Sequence, residues 1–94
     1  MAEAERDYFE YKGIIYDATF GTELTRHGGP FDRGSADSYY RRTPEPHYWP
    51  EGTGCGYKTV GKSLTQDDID EYYAGVAYNE TVVQDYKDWG DGHI

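Results

Sequence analysis

Eighteen acidic and nine basic side chains give this 94-residue chain a formal net charge of −9. That charge repels phosphate backbones and anionic membrane surfaces, so direct nucleic-acid or lipid binding by the chain as a whole is disfavoured. The length suits one domain near the small end of what folds unaided. Four Ile, two Leu and four Val stand against 16 aromatic residues, 11 of them Tyr, so the core must be thin and built mainly from rings. A partner that covers part of such a core would fit, and a homodimer is the simplest one. The single cysteine, Cys55, excludes an internal disulfide and suits a reducing compartment. No apolar run has the length of a signal peptide or a membrane span, so a soluble, cytoplasmic protein is expected.

The chain is polar to Arg6, and then two β-favouring runs flank Lys12-Gly13. A two-residue connection ending in Gly reads as a hairpin, Asp7–Tyr11 with Ile14–Thr19. Alternation sets Phe9, Tyr11, Ile15 and Phe20 against Tyr8, Ile14 and Tyr16 as the buried face, without deciding between them. A lone hairpin is marginal, so a helix must cover it.

Residues 27–56 hold all four prolines and six of the twelve glycines, together with Phe31, Tyr39, Tyr40, Tyr48 and Trp49. Proline and glycine at this density argue against one long helix or strand, while the rings bring enough apolar area to offset ordering entropy. The stretch reads as an ordered, irregular platform. Asp32 or Ser35 is placed to cap a short helix running through Arg42, before Thr43-Pro44. Pro44, Pro46 and Pro50 hold PEPHYWP extended, Gly52, Gly54 and Gly56 release it, and Tyr57–Val60 reads as a third, edge strand.

The clearest helix begins at Thr65. Thr65 and Asp68 form a capping-box pattern, and Asp67, Asp68, Asp70 and Glu71 crowd the turns where the helix dipole favours negative charge. Ile69, Tyr72, Tyr73 and Val76 mark one face, and the helix is expected to run to about Asn79. Gly75 inside it costs roughly 1 kcal/mol relative to Ala, which implies close approach of another element. Thr81–Trp89 reads equally as a helical continuation or a tail, with Trp89 packing back on the core. The expected fold is α+β: a small antiparallel hairpin or three-stranded sheet with two helices and a long Pro/Gly-rich ordered connection.

The run HGGPFDRGSADSYYRRTPEPHYWPEGTG, with LTQDDIDEYYAGVAYNE and the closing KDWG, resembles a family of small proteins of tailed bacteriophages and related bacterial genomes. In that family a GGP-x-DRGSADSYY-like core precedes a P-x-PH segment, an EYYAGY-like helix and a KDWG-like end. The match covers residues 27–90 and departs at Val76, where an aromatic is expected, and at ETVVQDYKDW. The resemblance implies origin rather than activity: a phage-encoded accessory protein in the host cytoplasm. A fainter likeness, to ribosome modulation factor, rests on Gly34, Arg41, Arg42, Pro46 and Gly75. That protein is strongly basic, as rRNA contact demands, and a charge of −9 speaks against its role here.

Charge is uneven along the chain. Residues 26–49 carry four arginines against three acids, between ends that are acidic. Such a middle either pairs internally or meets something anionic. Tyr and Arg are over-represented at binding hot spots, which makes Asp32, Arg33, Asp37, Tyr40, Arg41 and Arg42 a candidate binding surface. The competing role is an internal lock, with Asp32 and Asp37 pairing with Arg33 or Arg41. His47, Tyr48 and Trp49, stiffened by prolines, complete the surface, since a pre-ordered segment loses little entropy on docking.

No metal and no cofactor are expected, because His27, His47 and Cys55 lack metal-ligand spacing. No catalytic residue is expected either: Ser35 suits a cap, Cys55 lies in a Gly-rich loop, and Asp67 and Asp68 sit where a helix dipole lowers carboxyl pKa values. The favoured function is a non-enzymatic phage protein that binds a host or phage protein, for host takeover or defence inhibition. The alternatives are an acidic DNA mimic, using the row Asp67, Asp68, Asp70, Glu71, Glu80, Asp85 and Asp88, and a ribosome-associated factor.

Overall fold

A computed structural model describes residues 6–87. It is an α+β fold of two antiparallel strand pairs and two helices. Strands β1 (Tyr8–Tyr11) and β2 (Ile14–Asp17) form the expected hairpin. Lys12 (φ 51°) and Gly13 (φ 82°) are both left-handed, as a two-residue turn that follows the strand twist requires. This turn pairs Phe9 with Tyr16 and Tyr11 with Ile14, an odd-numbered residue of β1 always facing an even-numbered one of β2. The buried face therefore draws on both candidate sets: Phe9 and Tyr11 pack with Tyr16, while Ile14 at the turn end of the same face is exposed. Ile15 and Phe20, the latter 95% exposed, stay outside.

Helix α1 spans Pro30–Tyr39, starting earlier and ending sooner than its sequence suggests. Gly29 is the N-cap and Pro30 the first helical residue, a position where a missing N–H costs nothing and the fixed φ is already helical. Asp32 lies inside the first turn, its Oδ2 accepting from the Gly28 N–H at 2.9 Å. At the other end Arg41 is left-handed, φ 60°. Its N–H donates to the Ser38 carbonyl and that of Arg42 to the Asp37 carbonyl, a Schellman closure with arginine where glycine is usual.

Helix α2 spans Gln66–Tyr78, with the Thr65–Asp68 capping box fully formed. It packs on α1 through two glycines: a Cβ on Gly75 would overlap the Phe31 carbonyl, and one on Gly34 the Tyr72 carbonyl. The close approach implied by Gly75 is thus a backbone-to-backbone helix crossing. Tyr16, Ala18, Phe31 and Ala74 form the core, with Phe9, Tyr11, Leu24 and Tyr78 packed against it. The Tyr78 ring meets Phe9 edge-on at 5.3 Å and Phe31 at 5.4 Å, so the thin core is indeed largely rings.

Strands β3 (His47–Tyr48) and β4 (Thr59–Val60) pair with each other. Of the strand expected at 57–60 only Thr59–Val60 forms, and its partner is the proline segment and not the hairpin, which remains a separate two-stranded sheet. A π-helical turn, Asn79–Val83, follows α2. The tail then runs back along α1, where the Lys87 N–H donates to the Tyr39 carbonyl at 2.7 Å. The expectation for Trp89 falls outside the described residues, as does Asp88. Among the described residues no helix is long and apolar enough to cross a membrane.

Candidate functional site

One turn of α1 (Arg33 and Asp37), the segment from Arg42 to Trp49, and Thr53, Gly54 and Lys58 beyond it enclose a cleft of about 310 Å³, in which Glu45 and His47 also take part. Helix spacing brings Arg33 and Asp37 to one side of α1. The Schellman turn swings Arg42 back over Asp37, and the β3–β4 pairing holds His47 against the helix. Trp49 is fixed by its own N–H, which donates to the Gly28 carbonyl at 2.7 Å. Gly28 permits this: it is left-handed, and a Cβ there would stand 2.8 Å from both Gly52 Cα and the Trp49 carbonyl oxygen.

The floor of the cleft is a buried polar network. Tyr72, from α2, is fully buried. Its hydroxyl donates to Asp37 Oδ2 and accepts the Glu45 N–H at 2.8 Å. Burial, chiefly, and the Asp37 hydrogen bond raise the phenol's pKa well above its ordinary value, against a smaller opposing effect of the Glu45 N–H. Asp37 Oδ1 lies 3.4 Å from Arg42 Nη1 and 3.9 Å from Arg33 Nη2. Arg33 Nε donates to His47 Nε2 at 3.3 Å. With Nε2 accepting, His47 carries its proton on Nδ1 and donates it to the Glu45 carbonyl at 2.7 Å.

Five of the sequence-derived candidates, Arg33, Asp37, Arg42, His47 and Trp49, therefore meet in one cleft. The other four do not line it. Asp32 lies in a neighbouring groove with Phe20, Thr25 and His27, the His27 Nδ1 standing 3.9 Å from it. Tyr40 lies under the Arg42 guanidinium at 4.6 Å. Arg41 is turned away over the Tyr86 ring, also at 4.6 Å. Tyr48 follows His47 in β3, and alternation sends its ring to the other side of the ribbon. Asp37 pairs with Arg42 and, more loosely, Arg33, and not with Arg41. Comparison with protein-family models, with curated proteins and with solved structures returns no match.

Four contributors were not singled out from sequence: Tyr72, Glu45, Thr53 and Lys58. Periodicity marks Tyr72 as a core position, but its hydroxyl partner lies 35 residues away. The available signal was chemical: a buried phenol needs an acceptor and a buried carboxylate needs donors.

Chemically, the cleft presents three cations, Arg33, Arg42 and Lys58, against two carboxylates, Asp37 and Glu45. That leaves +1 locally on a chain of −9. Among the described residues no group of three or more His, Cys, Asp or Glu could hold a metal ion. The acid row is divided: Asp68 is engaged in the α2 cap, and Glu80 and Asp85 lie beyond the helix's other end.

Proposed function

We propose that this chain is a non-catalytic accessory protein that acts by binding another protein through the face around the cleft. The observation that carries this reading is the setting of Trp49: a half-buried indole with its backbone anchored, beside Arg33 and Arg42. Trp and Arg in a partly desolvated hollow are the residue types that dominate binding energy, and anchored side chains lose little entropy on docking. The Tyr72–Asp37 pair beneath favours a structural floor over an acid–base centre, because a phenol whose pKa lies far above neutrality neither gives up nor takes a proton there.

The resemblance to tailed-phage proteins supplies the context: a phage product in the host cytoplasm, whose target is a host or phage protein that it redirects or inhibits. Affinity capture from a lysate of phage-infected cells tests this, using the wild type and a Tyr48→Ala/Trp49→Ala variant with unchanged circular dichroism. The variant loses the wild-type partner. Recovery of that partner at equal yield from both overturns the reading.

A further inference from the structure

We infer that the cleft between α1 and the 42–58 connection is a receptor for a single carboxylate, presented by an acidic side chain or a chain terminus of the bound protein. The inference rests on the protein-binding reading above. Its basis is the state of Arg33. That side chain is only 12% exposed, yet among the described residues its hydrogen bonds go to uncharged acceptors, His47 Nε2 at 3.3 Å and Thr53 Oγ1 at 3.5 Å. Its nearest carboxylate oxygen among the described residues, Asp37 Oδ1, is 3.9 Å away and already engaged by Arg42. The other Asp37 oxygen is engaged by Tyr72. A nearly buried guanidinium has five donors and ordinarily pairs bidentately with a carboxylate; here the open space of the cleft lies where that partner would be.

Charge selects the ligand. Arg33, Arg42 and Lys58 against Asp37 and Glu45 leave +1, which matches a carboxylate and falls short of a phosphate group carrying about −1.5 to −2. The buried Asp37 carboxylate would also repel the denser charge of a phosphate. Trp49 supplies an apolar wall for the methylenes of an acidic side chain.

Nuclear magnetic resonance on the full chain tests the site. The probes are N-acetylglutamate N-methylamide, with a side-chain carboxylate only, N-acetylalanine, with a terminal carboxylate only, N-acetylglutamine N-methylamide and inorganic phosphate. Saturable shifts are expected at the Arg33 Nε–H and the Thr53 and Gly54 amides with a carboxylate probe, and none with the glutamine compound. The stronger of the two carboxylate probes identifies the source. Arg33→Lys, which keeps charge but loses the fork, weakens binding by about tenfold. Arg42→Ala and Lys58→Ala, on the exposed rim, weaken it by about threefold and guard against misfolding of the buried variant.

The inference is overturned if neither carboxylate probe saturates, if phosphate binds more tightly, or if the rim variants bind as the wild type does. Failure of the probes with loss of partner capture by Tyr48→Ala/Trp49→Ala removes the carboxylate receptor and leaves the protein-binding face. Saturable probe binding with unchanged capture shows that the cleft takes a carboxylate, removes that face as the contact surface and so overturns the assignment of the carboxylate to the bound protein.

Discussion

Gly34 of α1 and Gly75 of α2 close one helix crossing from opposite sides, each lying against a backbone carbonyl of the other helix. Alanine at either position would improve intrinsic helix propensity by about 1 kcal/mol. The obstacle, however, is main chain that cannot rotate away, so overpacking decides the sign. Gly34→Ala and Gly75→Ala are each expected to lower unfolding free energy by about 2 kcal/mol or more in urea titrations. The double variant costs less than the sum, because helices pushed apart by the first methyl already make room for the second.

Tyr72→Phe leaves the ring and removes the hydroxyl that serves Asp37 and the Glu45 N–H. Buried Asp37 loses a donor and the Glu45 N–H is left to water, an expected loss of about 1–3 kcal/mol in unfolding free energy. The pH dependence changes as well. Tyr72, Tyr16 and Tyr78 all have phenol pKa values raised above 10.0, chiefly by burial. A raised folded value gives stability that is complete below pH 10 and is lost as pH climbs through it. Tyr72→Phe therefore shows a shallower alkaline loss than the wild type, measured as denaturation midpoint against pH.

Arg41 holds the left-handed position that ends α1, with its guanidinium over Tyr86. Arg41→Ala loses the stacking and keeps the strained backbone, whereas Arg41→Gly loses the stacking and relieves the strain. The glycine variant is expected to exceed the alanine variant by about 1 kcal/mol in thermal unfolding, the reverse of the order on a helix interior.

Glu71 is half-buried on α2, and burial, chiefly, raises its pKa above 4.5; Asp68, Asp67 and Glu23 add to this while Arg26 opposes it. The side chain thus favours the folded state most below pH 4.5, and that contribution disappears as pH rises through the folded value. At neutral pH Glu71→Gln is expected to be more stable than the wild type, and the gap should close in acid. Paired urea midpoints at the two pH values check this.

Local signals were the readable ones. Lys12-Gly13 announces its turn, Thr65-x-x-Asp68 announces α2, and Gly75 announces a close neighbour because its cost needs a reason. The buried face of the hairpin also follows once the turn length is used: a two-residue connection pairs odd with even, which joins the two sets that simple alternation keeps apart. What did not show were pairings across distance. His47–Tyr48 finds Thr59–Val60 across a glycine-rich loop, and Asp37 finds Tyr72 across 35 positions. Neither leaves a period in the chain. The start of α1 was obscured for another reason: Asp32 and Ser35 are good caps, but Pro30 nucleates the turn before them.

Because main chain touches main chain where α1 meets α2, neither helix has room to slide, and the two share the hollow: Arg33 and Asp37 from one, Tyr72 from the other. The wall of the hollow built by Arg33 and Asp37 is therefore set before anything arrives, and occupancy is expected to register as a higher melting temperature at constant helix content.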